Sequence, residues 1–261
     1  MSQSLQRALA ILGELGEGPK SLDELSVTLG VHKSTALRLL QTLEADRFVR
    51  RDDRHQFSLG SRLFELGTAS LQQHQIRDVA MPHLEELGKA TGGQAVHLAM
   101  LENAQPIYIG KVESTHAVRM YSRIGLPAPL HATGVGKVLA SELPERRLAE
   151  ALAATDFRPF TANTITDPVA FGEVLQKVRD RGWAEDSSEH ESFINCIAAP
   201  LRDAGGTIVA AVSISVPDVT LSRDEVHALL PQLLEATAAI EEDWAGMSRS
   251  ERSHHRLKRT P

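Results

Sequence analysis

Apolar positions recur with a helical period along the first sixty residues. Leu5, Leu9, Leu12 and Leu15 predict a helix over residues 4–17, which Gly16 and the Gly18-Pro19 pair bring to an end. Ser21-Leu22-Asp23-Glu24 has the form of a capping box. In it the Ser21 hydroxyl accepts from the Glu24 N–H while the Glu24 carboxylate accepts from the Ser21 N–H. Leu22, Leu25 and Leu29 then mark one face of a short helix stopped by Gly30. Ala36, Leu39, Leu40 and Leu43 fall at i, i+3, i+4 and i+7, with Ser34, Arg38 and Gln41 on another face. Beyond them the period drops to two. Residues 48–51 and 56–59 read as strands joined at Asp52-Asp53-Arg54-His55. Three short helices and a hairpin predict a winged helix-turn-helix over residues 1–60.

Leu63, Leu66 and Leu71 predict a connecting helix within residues 61–77 that turns polar at Gln72-Gln73-His74-Gln75. A further helix over residues 79–89 leads to the break at Thr91-Gly92-Gly93. From Gln94 the runs QAVHLAML, PIYIGKV and HAVRMYS are strand-like, separated by turns at Glu102-Asn103 and Ser114-Thr115. Helical stretches follow near residues 134–143, 145–154 and 168–181. INCIAAPL and TIVAAVSISV then flank Asp203-Ala204-Gly205-Gly206, a hairpin signal. A last helix is expected from Arg223 to about Trp244. Residues 78–247 therefore read as an α+β domain on an antiparallel sheet. The tail from 248 to 261, SRSERSHHRLKRTP, is basic and lacks apolar residues to bury, which predicts disorder. There is no internal repeat.

Composition narrows the setting. A 261-residue chain of net charge −6 is comfortable for two domains and is no wholesale polyanion binder. The single cysteine, Cys196, precludes an intrachain disulfide framework and fits a reducing cytoplasm. No apolar run approaches the roughly 20 residues of a membrane span, and the charged, amphipathic N-terminus is unlike a signal peptide. The chain is expected to be cytoplasmic and globular, with no membrane association.

Locally the charge inverts. Between Val31 and Arg62 stand seven Lys or Arg and four Asp or Glu, a net +3 inside an acidic protein. A helix entering the major groove favours short polar side chains at its N-terminal end, where N–H groups meet phosphate. His32, Lys33, Ser34 and Thr35 supply that end, and Arg38, one turn later, can reach a base edge or a phosphate. Arg51 and Arg54 on the hairpin are expected over the neighbouring backbone or minor groove. The competing account is the solvated face of a winged helix that binds another protein.

In the second half, Gly134-Val135-Gly136-Lys137 looks like part of a phosphate loop. The spacing before Gly-Lys is wrong and Val138 stands where a Ser or Thr is required. These glycines better suit a helix start held close to an anion. Cys196 lies in an apolar run and reads as a small hydrophobe. His97, His131 and His190, with Glu189 or Asp186, have no diagnostic metal spacing, and the acidic run 186–191 reads mostly as a surface loop. Ser213 and Ser215 alternate with Val212, Ile214 and Val216, which puts both hydroxyls on one side of a strand. Either they form a polar spot in a pocket or they pack against another layer. No cofactor and no metal site is expected.

Together these stretches resemble the IclR family of bacterial transcriptional regulators along nearly the whole chain. The resemblance rests on SLQRALAILGEL, the Leu29–Thr35 turn and helix, KVES, the run Pro129 to Lys137, RGWAED, CIAAPLRD and VSISVP. It implies an N-terminal winged helix, a linker helix that helps dimerise, and a GAF-like effector domain. It also implies dimers, often paired into tetramers, on double-stranded operator DNA. The small-metabolite effectors are frequently carboxylates and control a catabolic operon by repression or activation. At matching positions, the Gly134-Val135 backbone would hold a carboxylate, Asp186, Cys196, Ser213 and Ser215 would line the polar end, and Met120 and Ile194 the apolar wall. Ala128 matches a position usually larger, and the room this leaves favours an aromatic acid such as a hydroxybenzoate. Ser192-Phe193 departs from the family's frequent glycine. The rival reading is a small-molecule or metal-dependent hydrolase with a protein-interaction winged helix.

Overall fold

Residues 2–117 and 120–257 are described by a computed structural model, and the chain divides into two compact units, Met1–Gln73 and His74–Pro261. The division falls inside the stretch expected to be a single connector.

The first unit holds α1 (Gln3–Gly16), β1 (Lys20–Ser21), α2 (Leu22–Thr28), α3 (Lys33–Ala45), β2 (Val49–Arg51), β3 (Gln56–Leu59) and α4 (Arg62–Gln72). Leu15, Leu25 and Leu40, from three different helices, meet Ile11, Val49 and Phe57 in one core. The capping box forms, with the Glu24 carboxylate 2.7 Å from the Ser21 N–H. Gly30 adopts φ +61° at the turn into α3, where the Val31 N–H donates to Ser26 O. The expected hairpin gains a third strand: Lys20 and Ser21 pair with Phe57 and Gln56, giving the order β1-β3-β2. Gly60 follows the wing at a spot where a Cβ would stand 2.1 Å from Arg47 O.

The second unit contains α5 (Gln75–Ala90), β4 (Ala95–Glu102), β5 (Gln105–Val112), α6 (Gly134–Ser141), α7 (Glu145–Ala154), α8 (Pro168–Arg181), β6 (Ala184–Ser187), β7 (Ile194–Arg202), β8 (Ile208–Pro217), α9 (Arg223–Ala228) and α10 (Leu230–Leu257). Its sheet is wholly antiparallel in the order β5-β4-β8-β7-β6. The period of two decides the layers. Val212, Ile214 and Val216 of β8 share a core with α5 and α10, while Ala211 joins Val135, Val138 and Leu139 of α6 on the other face.

Four expectations are corrected. HAVRMYS forms no strand in its described residues, and the described residues from 113 to 127 are irregular apart from a bridge between Ile107 and Pro127. The RGWAED stretch, to which the periodicity assigned no element, contains a strand, β6, paired to β7. The final helix breaks at Leu229 and then continues past Trp244 to Leu257, so the tail expected to be disordered is helical that far. Its last four positions, 258–261, lie outside the described residues. The acidic run is no surface loop, because Asp186 and Glu189 are buried.

Candidate functional site

His32 occupies the N-cap of α3, without a side-chain capping bond, and Lys33 and Ser34 open its first turn. His32, Lys33, Ser34 and Arg38 are exposed and Thr35 is half-buried, because Ala36 and Leu40 take the inward positions. Lys33 Nζ pairs with Asp23 Oδ2 of α2 at 2.8 Å. Both partners are exposed, so the contact is weak and leaves the lysine able to turn to a phosphate. On the wing, Arg51 and Arg54 are exposed; the Arg51 guanidinium lies 5.4 Å from the centre of the Phe57 ring. Asp52 Oδ1 accepts from the Arg54 and Gln56 N–H groups, which shapes the turn that presents Arg54.

The second candidate is a cavity on the α6 side of the sheet. Register assembles it: Asp186 of β6, Cys196 of β7 and Ser215 of β8 stand in one cross-strand row with Ala95 of β4. The next row runs Ala184, Ala198, Ser213, His97, Lys111. The small residues of this row let the N-terminus of α6 come down onto the sheet. A Cβ on Gly134 would lie 3.1 Å from that of Ala198, and one on Gly136 would meet Leu130 O at 2.3 Å. Thr133 caps the helix by accepting from the Gly136 N–H at 3.1 Å, and its carbonyl accepts from the Lys137 N–H. The N–H groups of Gly134 and Val135, in the first turn of α6, have no partner inside the helix.

The cavity gathers eight of the nine residues expected there: Met120, Gly134, Val135, Asp186, Ile194, Cys196, Ser213 and Ser215. The ninth, Ala128, is placed elsewhere. Its N–H bonds Pro106 O, and it is packed with Val135 and beside a separate cleft lined by Pro127 and Leu130. The room expected from its small side chain is therefore not in this cavity, whose volume is ≈ 10 Å³, space for about one water. Phe193 is half-exposed and does not line it.

Sequence reading missed four lining residues: Tyr108, Thr133, His190 and Glu191. Thr133 had a local signal, a threonine immediately before a glycine-rich helix start. Tyr108 and Glu191 arrive only through tertiary pairing.

Burial governs the electrostatics. Desolvation pushes the Asp186 carboxyl up to about 7, raises the Cys196 thiol and the Tyr108 phenol, and, more weakly countered by Lys111, raises Glu191. The buried Lys137 ammonium draws Asp186 and Cys196 down against this desolvation without offsetting it. The ammonium donates to Glu189 Oε1 and to Glu185 O, leaving Glu189 Oε2 buried without a partner among the described residues. His190 is driven down by burial and by neighbouring His131 and Arg158. The supposed histidine cluster does not converge. His131 bonds Arg158 O, His97 faces Ser122, and among the described residues no three His, Cys, Asp or Glu side chains are placed to hold a metal ion.

Two sequence-family models match: "Bacterial transcriptional regulator IclR C-terminal" over residues 68–242 and "IclR helix-turn-helix domain" over residues 4–53. The transcriptional regulator KdgR of Escherichia coli K12 is 34% identical over 242 residues, covering 91% of this chain and 90% of its own. Among solved structures, IclR of Thermotoga maritima superposes with a TM-score of 0.78 at 32% identity, covering 92% and 98% of the two chains. An IclR homologue from Microbacterium hydrocarbonoxydans, complexed with 4-hydroxybenzoate, shares the fold at a TM-score of 0.77 and 24% identity, over 92% and 98%. These relatives are regulators, and no helix among the described residues is long and apolar enough to cross a membrane. The chain belongs to the IclR family and is a DNA-binding, helix-turn-helix transcriptional regulator.

Proposed function

We propose that this regulator releases or engages its operator in response to a small organic acid whose carboxylate docks on the start of α6. The observation that carries the reading is the meeting of two helix-start N–H groups, at Gly134 and Val135, with the Ser213 and Ser215 hydroxyls across one buried cavity. A helix start and hydroxyls are donors suited to an anion, and apolar Met120, Val135 and Ile194 suit its carbon body. A cavity of ≈ 10 Å³ does not admit an organic acid as it stands. Binding must displace lining side chains, and such a displacement is what a switch requires. The Microbacterium relative carries 4-hydroxybenzoate, which supports an aromatic acid as the first ligand to try.

His32, Lys33, Ser34, Thr35 and Arg38 form the groove-reading end of the DNA module, with Arg51 and Arg54 on the flanking backbone. The functional domains are residues 1–60, a connector within 61–77, and an effector domain over 78–247. A homodimer, or a pair of dimers, places two such modules on one operator. The test is a gel shift with the full chain, DNA from upstream of its own gene and a panel of organic acids. An acid-dependent change in operator affinity is expected. Operator binding that no acid alters would refute the sensing role, and absence of any sequence-specific shift would refute the regulator's assigned operator.

A further inference from the structure

A buried hydrogen-bond chain leaves the cavity through its serine wall. Cys196 Sγ–H donates to Ser215 Oγ at 3.1 Å, Ser215 Oγ lies 3.3 Å from His97 Nδ1, and His97 Nε2 lies 2.7 Å from Ser122 Oγ. His97 is 1% exposed and its ring is tilted against that of Tyr108, with centroids 5.1 Å apart. Burial and the nearby Lys111 ammonium hold its pKa down at about 3, so the ring is neutral across the physiological range. A neutral imidazole carries one N–H, and which nitrogen holds it fixes the direction of both bonds the ring makes, to Ser215 and to Ser122.

In one tautomer Nε2–H donates to Ser122 Oγ, and Nδ1 accepts the Ser215 O–H. The hydroxyl then points into the wall and offers a ligand no donor. In the other tautomer Ser122 O–H donates to Nε2, Nδ1–H donates to Ser215 Oγ, and the Ser215 O–H is free for the cavity. The second arrangement moves one proton from Nε2 to Nδ1 of the same ring and needs no net uptake.

We propose that His97 is a positioning residue for effector recognition, which aims the Ser215 hydroxyl into the wall in the unliganded protein and toward the acid in the liganded one. Occupancy is thereby reported to Ser122, on the connection that also carries Met120. This rests on the reading of the cavity as an acid site. It adds a residue that does not itself line the cavity and a direction of bonding to its empty and filled states.

The test is nitrogen-15 NMR of the histidine rings in the full chain, with His97 assigned through its contacts to the Tyr108 ring. Unliganded protein should show Nε2–H; Nδ1–H there, or a ring that titrates near neutral pH, would overturn the proposal. On titration with 4-hydroxybenzoate until the Gly134 and Val135 amide signals stop moving, His97 should switch to Nδ1–H; a ring that stays Nε2–H while those amides shift would also overturn it. If the amides never move, it is the acid-site reading that has failed, and the relay is decided without ligand. In Ser122→Ala an Nε2–H would be a buried donor with no acceptor, the costlier orphan. This variant should therefore adopt Nδ1–H unliganded, and an Nε2–H ring in the folded variant would sink the relay by itself. Where 4-hydroxybenzoate does bind, the same variant should bind it several-fold more tightly, since its serine is already turned.

Discussion

Asp186 is 3% exposed and forms no ion pair among the described residues, and its desolvation outweighs the Lys137 charge, so the folded chain holds its proton up to about pH 7, whereas an ordinary aspartate releases it near 3.8. Between those values the folded state binds the extra proton. Its contribution to stability is therefore full below about pH 4 and is lost as pH rises through 7. Asp186→Asn keeps an oxygen to accept from the Glu189 N–H and never ionises. Its stability relative to wild type should climb between pH 5 and pH 8, by an amount on the order of 1–4 kcal/mol. Thermal melts across that range check this, and a constant offset would contradict it. The serines give the companion prediction. Each hydrogen bond to a charged group contributes roughly 1.5–3 kcal/mol, so Ser213→Ala with Ser215→Ala should weaken acid binding at least tenfold in calorimetry. Unliganded operator affinity should be unchanged, and normal acid binding in the variant would put the pocket elsewhere. Residue identity alone marked the two hydroxyls because they interrupt an apolar strand. It read the acidic run 186–191 mostly as a surface loop, and only the resemblance put Asp186 at the cavity, because its charge reads as surface until β6 is known to pair with β7.

At the scale of elements, what was legible was local. The stripe Ala36, Leu39, Leu40, Leu43 and the capping box at Ser21 need only near neighbours in sequence, and both form as read. β1 is two residues long and exists only because Phe57 and Gln56 pair with it, which no local pattern announces. The HAVRMYS run has strand-like composition, yet the outer edge of β5 is met by residues 125–128 instead, where the Gly125 N–H donates to Tyr108 O, the Tyr108 N–H to Leu126 O and the Ala128 N–H to Pro106 O. The α3 stripe also yields a prediction. Arg38 points away from Ala36 and Leu40, so Arg38→Ala should leave the thermal midpoint unchanged. If Arg38 reads a guanine with two bonds, operator affinity falls by roughly 1–3 kcal/mol, selectively at that base pair. Equal binding by wild type and variant in a gel-shift titration would remove Arg38 from the recognition surface.

For the whole molecule, the question is how one short recognition helix per chain achieves specificity. It makes few base contacts, and useful discrimination needs two modules on half-sites about 34 Å apart or a multiple of that. The first unit carries apolar surface suited to such pairing. α4 buries none of its residues, Phe64 on it is 78% exposed, and Leu5 and Leu9 on α1 are each 59% exposed. Large apolar side chains on exposed helix faces are stabilised when a second copy covers them. The full chain is therefore expected to scatter light as a dimer or larger at micromolar concentration. Leu9→Glu with Phe64→Glu places charges on these two helix faces and leaves the Leu15, Leu25 and Leu40 core untouched. The variant should shift toward monomer and lose at least tenfold in operator affinity. Its calorimetric affinity for an acid should hold, because the cavity lies wholly within the second unit. A wild-type chain that is monomeric with and without DNA, or a variant that still dimerises and binds its operator normally, would show that pairing uses another surface.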